Sequence, residues 1–198
     1  MTNKIEEKKS EKEKNIIEAS YCLFIDKGIN NTSIQDIVDK AGIAKGTFYL
    51  YFKDKYQLQE RVITEKSHQL FNSAIAEVEK NKIEKFEEQI IFIIDHVIDM
   101  LISKPKLISL ISKDLSLGVY SDSFNKIVDR DEIGVYDDFI SKAEKSNIKL
   151  KNPEVTFFMI IELVSSTCFS SILHNQPLPI KEFKPYLYDA IRALLKNS

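Results

Sequence analysis

Residues 28–55 read GINNTSIQDIVDKAGIAKGTFYLYFKDK, and they contain the strongest local structural signals in this chain of 198 residues. Ser33 with Asp36 three residues later is typical of a helix N-cap, and Gly42 is typical of a helix end. The apolar spacing between them predicts a short second helix. A third short helix is expected over about residues 45–52. Two short helices joined by such a tight turn form a helix-turn-helix.

The helices on either side of this stretch complete a small N-terminal domain. Ser10 with Glu13 predicts the start of the first helix, and Gly28 predicts its end. Asp54 with Gln57 predicts the start of a fourth helix that runs to about residue 81. One small core is then expected from apolar residues of the first three helices, namely Leu23, Phe24, Ile34, Ile37, Val38, Ala41, Phe48 and Phe52.

The outer side of the third helix has residue types that DNA recognition uses. Lys45 suits a phosphate or a guanine, Gly46 allows close approach because it lacks a Cβ, and Thr47 can meet a base through its methyl or hydroxyl group. Phosphate contacts are expected from the flanking hydroxyls and ammonium, those of Tyr49, Tyr51 and Lys55. An aromatic run at helical spacing also fits plain core, and lysines also fit a solvated surface. The joint order of cap, turn, aromatic and lysine residues favours DNA binding.

The charge of the chain does not by itself indicate nucleic acid. The formal net charge is -2, and residues 1–60 contain ten Lys against ten Asp or Glu. A free-standing DNA-binding module is often clearly basic. Any DNA affinity must therefore come from the placement of a few cations and aromatic residues rather than from an excess of positive charge.

Composition and periodicity predict an all-α protein of about nine helices. Hydrophobic residues make up 43% and charged residues 29%, which is typical of globular rather than disordered chains. Helical patterns continue over residues 83–103, 104–117, 121–146, 153–173 and 183–195. We expect a disordered extension over residues 1–9, a three-helix helix-turn-helix domain over 10–56, and a helical bundle for ligand binding and dimerisation over 57–198.

We expect a cytoplasmic protein, because the sequence shows no recognisable targeting signal. The N-terminus has no apolar segment of the kind that signal peptides contain. The apolar stretch over residues 155–173 includes Glu162 and a Ser/Thr-rich second half, so we expect a buried helix rather than a membrane span. Cys22 and Cys168 have neither metal nor redox spacing, which is consistent with a reducing compartment.

Residues 28–55 closely resemble the TetR family of bacterial transcriptional regulators. The glycine, the Lys-Gly-Thr-aromatic-Tyr run from Lys45 and the Tyr-Phe-Lys-x-Lys ending at Lys55 fall in register together. The resemblance implies a homodimer that binds a palindromic operator, usually as a repressor, and that a small molecule releases from DNA. It implies base contacts at Gln35, Lys45, Gly46, Thr47 and Tyr49. It implies phosphate contacts at Thr32, Ser33, Tyr51, Lys53 and Lys55.

Two positions depart from the family pattern. Ala44 stands where the family often has a serine as N-cap of the recognition helix, and loss of such a cap costs about 1 kcal/mol. Gln35 stands where some members have an arginine, which weakens the expectation of a direct base contact from the second helix.

The C-terminal bundle provides candidates for an effector site. A pocket between helices is usually lined by apolar groups with a few polar groups for orientation. The candidates are His96, Asp99, Met100, Phe139, Phe158 and Glu162, and they suit a hydrophobic or amphipathic effector. The same residues also fit an ordinary core, and His96 also fits a satisfied or partly exposed histidine.

The last two helices are the candidates for dimerisation, as the resemblance implies. Small residues over 165–171 let another helix approach closely, and a two-fold four-helix contact results. The candidate interface residues are Phe157, Ile161, Ser165, Tyr188 and Ile191.

No catalytic signature, metal-ligand cluster or cofactor motif is present in the sequence, so we expect neither an enzyme nor a metal or cofactor site. Two alternatives to a DNA-binding repressor remain open. One is a TetR-like coactivator that does not act through DNA, and the other is a helical carrier of a ligand.

Overall fold

The computed structural model describes residues 2–111, 134–146 and 148–197, and these residues form nine α-helices and no β-strand. The predicted all-α class is confirmed. The helices are α1 (Thr2–Lys27), α2 (Ile34–Ala41), α3 (Lys45–Phe48), α4 (Lys55–Lys80), α5 (Phe86–Ser103), α6 (Pro105–Ile111), α7 (Val135–Lys145), α8 (Pro153–His174) and α9 (Ile180–Asn197). The chain divides into two compact units, Met1–Glu65 and Lys66–Ser198. The division lies inside α4, whereas the sequence places the boundary between residues 56 and 57.

The first helix is longer than the sequence predicts. α1 is already helical at Thr2, where a disordered extension is expected, and the Ser10–Glu13 pattern lies inside the helix. Lys and Glu dominate this segment, and both are strong helix formers that also pair across one turn. Their propensity extends the helix past a pattern that otherwise favours a start near residue 10.

The helix-turn-helix forms where the sequence places it. α2 has Ser33 as its N-cap and Gly42 as its C-cap, as predicted. α3 ends at Phe48, and residues 49–51 continue as turns, so the helix is shorter than the expected 45–52. A helix of this length is not stable alone, so tertiary packing must hold it.

The core of the N-terminal unit comes from α1, the two short helices α2 and α3, and the start of α4. Phe48 is 0% exposed, and its side chain packs α3 against this core. The other buried members of the predicted core are Phe24, Ile37, Val38 and Phe52, while Leu23, Ile34 and Ala41 are half-buried. Ile16, Ile17, Leu58, Val62 and Ile63 complete the core from α1 and α4.

The C-terminal unit differs from the sequence expectation mainly at helix starts. α5 begins at Phe86 rather than at Ile83, because the Ile83 N–H donates to Val78 O and closes the end of α4. α9 begins at Ile180 rather than at Phe183, because Pro179 O accepts the N–H groups of the first turn. The predicted helix over 104–117 is described as far as Ile111, and α7 is the described part of the helix over 121–146. The remainder of both lies outside the described residues.

Among the described residues, α8 is the one helix that is long and apolar enough to cross a membrane. Its most apolar window is 39% buried within the structure. Phe157, Ile160, Ile161 and Val164 of α8 lie in the core of the C-terminal unit. The outward side of the helix is therefore also rich in apolar residues.

Candidate nucleic-acid interface

The N-terminus of α2 is fixed by a complete capping box. The Asp36 N–H donates to Ser33 Oγ at 3.1 Å, and the Ser33 N–H donates to Asp36 Oδ2 at 2.7 Å. Lys27, in the last turn of α1, lies 2.9 Å from Asp36 Oδ2. The hydrogen bond from Lys27, followed by those from Ser33, holds the pKa of Asp36 well below its usual value. The start of α2 is thereby joined to the end of α1.

The turn after α2 depends on a left-handed glycine. Gly42 has φ of +67°, a conformation that L side chains rarely adopt. The next N–H group, that of Ile43, donates back to Val38 O at 3.0 Å and satisfies a carbonyl at the helix end. This turn sets the direction in which α3 leaves α2.

The third helix has one anchored side and one exposed side. The ring of Phe48 packs edge-on against Tyr49 at a centroid distance of 5.4 Å and tilted against Phe52 at 5.9 Å. Tyr49 is itself 51% exposed. A Cβ placed on Gly46 would meet no protein atom within 4 Å, so this position opens to the exterior. At Gly46 the exposed side therefore leaves space in which a base pair could approach.

Most of the residues for which DNA contacts are expected lie at the protein surface. Six are exposed, namely Ser33, Gln35, Lys45, Gly46, Tyr49 and Lys53. Thr47, Tyr51 and Lys55 are half-buried, and Thr32 is buried. The amide of Gln35 donates to Asp39 Oδ1 at 2.8 Å, one turn along α2.

Thr32 does not fit its expected phosphate contact. Its side chain is 1% exposed, and its Oγ1 donates to Gly28 O at 2.8 Å. Its N–H donates to Ile29 O, and its own carbonyl accepts from Lys55. Each polar group of Thr32 is thus engaged inside the protein, because the residue builds the loop between α1 and α2.

The structure adds exposed residues that the sequence pattern did not single out. Leu50 is 79% exposed and follows Tyr49 at the end of the third helix. Tyr56, in the first turn of α4, is 63% exposed. The exposure of Leu50 could have been predicted from the sequence. At helical spacing, Leu50 lies on the side opposite Phe48 and Phe52, which were expected to be buried.

Among the described residues, the candidate effector residues lie in different surroundings. Phe139 lines an apolar cavity of about 30 Å³ with residues of α4, α5, α7 and α8. Phe158 is 48% exposed, and Asp99 is exposed and bound to Lys184. His96 stacks on Phe92 at a centroid distance of 6.3 Å. Met100 and Glu162 are half-buried, and neither lines the cavity beside Phe139.

A polar cluster on α5 and α9 explains why Asp99 is unavailable. The ammonium of Lys184 lies 2.6 Å from Asp95 Oδ1 and 2.5 Å from Asp99 Oδ1, and the hydroxyl of Tyr188 also donates to Asp95. Burial raises the pKa of Asp95, but the bonds from Lys184 and Tyr188 outweigh it and lower the pKa below its usual value. Burial and the neighbouring carboxylate raise the pKa of Tyr188. Asp99 therefore contributes to helix pairing within the unit.

For three of the five candidate dimer residues, burial within the protomer contradicts the expected role at the interface. Phe157, Ile161 and Ile191 are at most 4% exposed, so their side chains pack inside the protomer. Tyr188 is bound to Asp95, and Ser165 is half-buried. The exposed apolar residues of the same two helices are Val155, Phe158, Met159 and Tyr186. The exposed face of α8 and α9 is therefore a different side of these helices from the one that the sequence predicts for the dimer interface.

An open groove of about 920 Å³ follows these two helices. Its walls come from the start and middle of α8 and from the second half of α9, and they are formed by Lys151, Asn152, Val155, Thr156, Met159, Leu163, Ala190, Ala193 and Leu194. Apolar and small residues predominate. Such a face suits close packing against other helices. Among the residues described, no group of three or more His, Cys, Asp or Glu could hold a metal ion.

The chain is similar in sequence to known regulators. Residues 16–62 match the family model described as bacterial regulatory proteins, tetR family. The uncharacterized HTH-type transcriptional regulator YvdT of Bacillus subtilis is 32% identical over 149 residues, which span 74% of this chain and 71% of that protein. YuxN, of the same organism, is 52% identical over 48 residues. That shorter match spans 24% of this chain and 16% of YuxN.

Solved structures share the fold over nearly the whole chain. FadR from Bacillus subtilis, in complex with stearoyl-CoA, has a TM-score of 0.61 at 16% identity and covers 89% of this chain and 96% of its own. The fatty acid degradation regulator FadR from Bacillus halodurans has a TM-score of 0.60 at 17% identity, covering 91% and 94%. At these identities the likeness extends to the fold alone.

Proposed function

The chain belongs to the TetR family of bacterial transcriptional regulators, and on that premise we propose that it is a homodimeric repressor that a small effector releases from a palindromic operator. It is a DNA-binding regulator with an N-terminal helix-turn-helix. The observation that carries the proposal is the two-sided third helix, with Phe48 fully buried beneath it and Tyr49 and Leu50 exposed above it. We assign it no catalytic reaction and place it in the cytoplasm.

Base recognition in this proposal comes from the exposed side of the third helix. Lys45, Gly46, Thr47 and Tyr49 keep the role that the sequence predicts, with Gln35 contributing from α2. Leu50 joins them, because an exposed apolar side chain beside the base-reading residues suits the methyl group of thymine. Phosphate contacts come from Tyr51 and Lys53, which lie around the same helix-turn-helix. Ser33 joins them because it is exposed, and its hydroxyl would exchange its bond to Asp36 Oδ2 for one to a phosphate.

Dimerisation through α8 and α9 is supported by the exposed apolar face. Met159 and Tyr186 are 38% and 67% exposed, and large contiguous apolar surfaces mark interaction sites. A second copy placed by a two-fold axis would cover the same patch on both protomers. A dimer is also what a palindromic site requires, since each protomer reads one half-site.

The effector is proposed to be hydrophobic or amphipathic. Two cavities among the described residues are apolar and small, about 30 Å³ beside Phe139 and about 20 Å³ beside Cys168. Such volumes hold about one or two water molecules, so a ligand would occupy either cavity only if the helices around it move apart. FadR, a protein of the same fold, was solved with stearoyl-CoA, which makes fatty acyl-CoA compounds the first class to test.

The proposal is tested by selecting genomic DNA with the purified full-length protein and sequencing the retained fragments. We expect enrichment of one palindrome, with repression of a reporter placed behind it. Acyl-CoA compounds of increasing chain length are then added, and release of the retained DNA identifies an effector. Recovery of no enriched sequence would instead favour a coactivator or a ligand carrier.

A further inference from the structure

Lys55, the first residue of α4, reaches across the N-terminal unit to the loop that joins α1 to α2. Its Nζ donates to Ile29 O at 2.7 Å and to Thr32 O at 2.8 Å. An ammonium has three N–H donors, and two of the three are therefore committed to this loop. The side chain is half-buried, so these bonds are partly shielded from water. Charge-assisted hydrogen bonds of this kind are among the stronger ones in proteins.

The peptide group between Thr32 and Ser33 is consequently held on both sides. Its carbonyl accepts from Lys55 at 2.8 Å, and its N–H donates to Asp36 Oδ2 at 2.7 Å. Ser33 keeps the extended conformation of an N-cap, with φ of -91° and ψ of 159°. The Ser33 hydroxyl is thereby fixed relative to α2.

We infer that Lys55 is a positioning residue, which fixes the α1–α2 loop and the N-cap of α2 for DNA binding, and that it is not itself a phosphate contact. The inference rests on the proposed function and corrects the role expected from sequence. A phosphate could attract Lys55 only by competing with these two carbonyls. Ile29 O would keep the Thr32 N–H as a donor, but Thr32 O would lose its donor. Buried carbonyls without a partner are costly, so the existing bonds are favoured.

Lys53 provides a matched comparison two residues away. It is exposed, and its backbone N–H, rather than its ammonium, is bonded to Gln57 Oε1 at 2.6 Å. The two lysines carry the same charge on the same segment. Replacing either by methionine removes one positive charge and all ammonium donors but keeps the length of the side chain. Differences between the two variants therefore report the local role of each ammonium.

The experiment compares wild type, Lys53→Met, Lys55→Met and Lys55→Arg as full-length proteins. Affinity for the palindrome selected by wild type, and for an unrelated duplex, is measured between about 50 and 200 mM KCl, since log K falls with log salt by about 0.9 for each phosphate neutralised. Hydrogen–deuterium exchange of residues 28–36 is measured on the free proteins. Circular dichroism shows whether each variant is folded, and Lys55→Arg keeps donors if Lys55→Met does not fold.

We expect Lys55→Met to weaken binding to both duplexes by about tenfold, with the wild-type salt slope and with faster exchange in residues 28–36. Lys55→Arg should recover much of the loss. Lys53→Met should lower the slope by about 0.9 and leave the exchange unchanged. A slope lowered by Lys55→Met, or exchange unaffected by it, overturns the inference. If wild type binds neither duplex, the proposed function fails, while the exchange measurement still decides whether Lys55 holds the loop.

Discussion

The Nζ atom of Lys184 lies 2.6 Å from Oδ1 of Asp95, and this ion pair joins α9 to α5 within the C-terminal unit. The same ammonium is bound to Asp99, one turn further along α5. Arg192 extends the contact at the other end, with its Nε 3.0 Å from Glu87 Oε1. Cations of the last helix thus face acids of α5 over three turns. Because α9 also contributes to the proposed dimer face, these pairs fix the helix that the partner contacts.

Removing the ammonium of Lys184 should destabilise the protein. Its side chain is only 16% exposed, but Asp95 is 44% exposed, so the loss lies between that of a surface pair and that of a buried one. We expect Lys184→Met to lower the free energy of unfolding by about 1–2 kcal/mol in urea denaturation.

Lys181→Met, on the same helix but exposed, is the control and should stay within about 0.5 kcal/mol of wild type. Equal stability of the two variants would mean that the Lys184 pairs contribute nothing measurable.

Acid should weaken the capping box of α2. The pKa of Asp36 lies well below its usual 3.8 because Lys27 and Ser33 bond to its carboxylate. Since the pKa is lowered on folding, the ionised group contributes stability above pH 3.8, and that contribution is lost as the pH falls toward the folded-state pKa. We therefore expect Asp36→Asn to be less stable than wild type at neutral pH and to converge with it in strong acid. Thermal unfolding at a series of pH values measures this, and a constant difference at every pH would contradict it.

The missing cap of the third helix can be restored. Ala44 occupies the N-cap position with extended angles, φ of -74° and ψ of 147°, but offers no side-chain acceptor. A serine there can accept a free N–H of the first turn, so Ala44→Ser should raise the free energy of unfolding by about 1 kcal/mol. Ala44→Val lacks the hydroxyl and should give no gain. If the two variants are equally stable in urea denaturation, a side-chain acceptor at the N-cap of α3 does not increase the stability of the protein.

The local signals around α2 could be predicted from sequence, whereas the partners of Lys55 could not. The cap at Ser33 and the left-handed Gly42 are properties of a few neighbouring residues, and both appear in the structure. The bonds from Lys55 span 23 and 26 residues, and no periodic pattern encodes such a distance. A lysine at a helix start therefore looks like a phosphate contact until the fold brings the loop carbonyls to it.

The outward face of α8 could not be predicted for a different reason. Apolar residues cover this helix on nearly all sides, so periodicity cannot tell which side faces the core. The structure turns Phe157 and Ile161 inward, and it leaves Phe158 and Met159 outward. In the proposed dimer α8 is buried on one side by its own protomer and on the other by a second copy, and such a helix has no polar stripe that would indicate its orientation.

Leu50, in the turn after α3, and Phe48, at the end of α3, separate DNA recognition from folding. Leu50 is 79% exposed, so Leu50→Ala should change the free energy of unfolding by less than about 0.5 kcal/mol while weakening binding to the selected palindrome. The loss should be smaller on a duplex in which the contacted thymine methyl is replaced by the hydrogen of uracil, measured by titrating matched duplexes with both proteins. Phe48 is 0% exposed, and Phe48→Ala should cost about 3–5 kcal/mol. Full DNA affinity of Leu50→Ala would remove this residue from the interface.

Charge on the outward face of α8 and α9 should separate the protomers. Met159 and Tyr186 are exposed in the single chain, and the proposed dimer buries them against a second copy. A buried unpaired carboxylate is strongly unfavourable, so the double variant Met159→Glu, Tyr186→Glu should sediment as a monomer. Since two linked half-site contacts bind far more tightly than one, its affinity for the palindrome should fall by about a hundredfold or more. Ile102→Glu, a matched change at a 41% exposed position of α5, should remain dimeric and bind normally. A double variant that stays dimeric would place the contact on another face, because no two-fold arrangement of this surface accommodates four buried carboxylates.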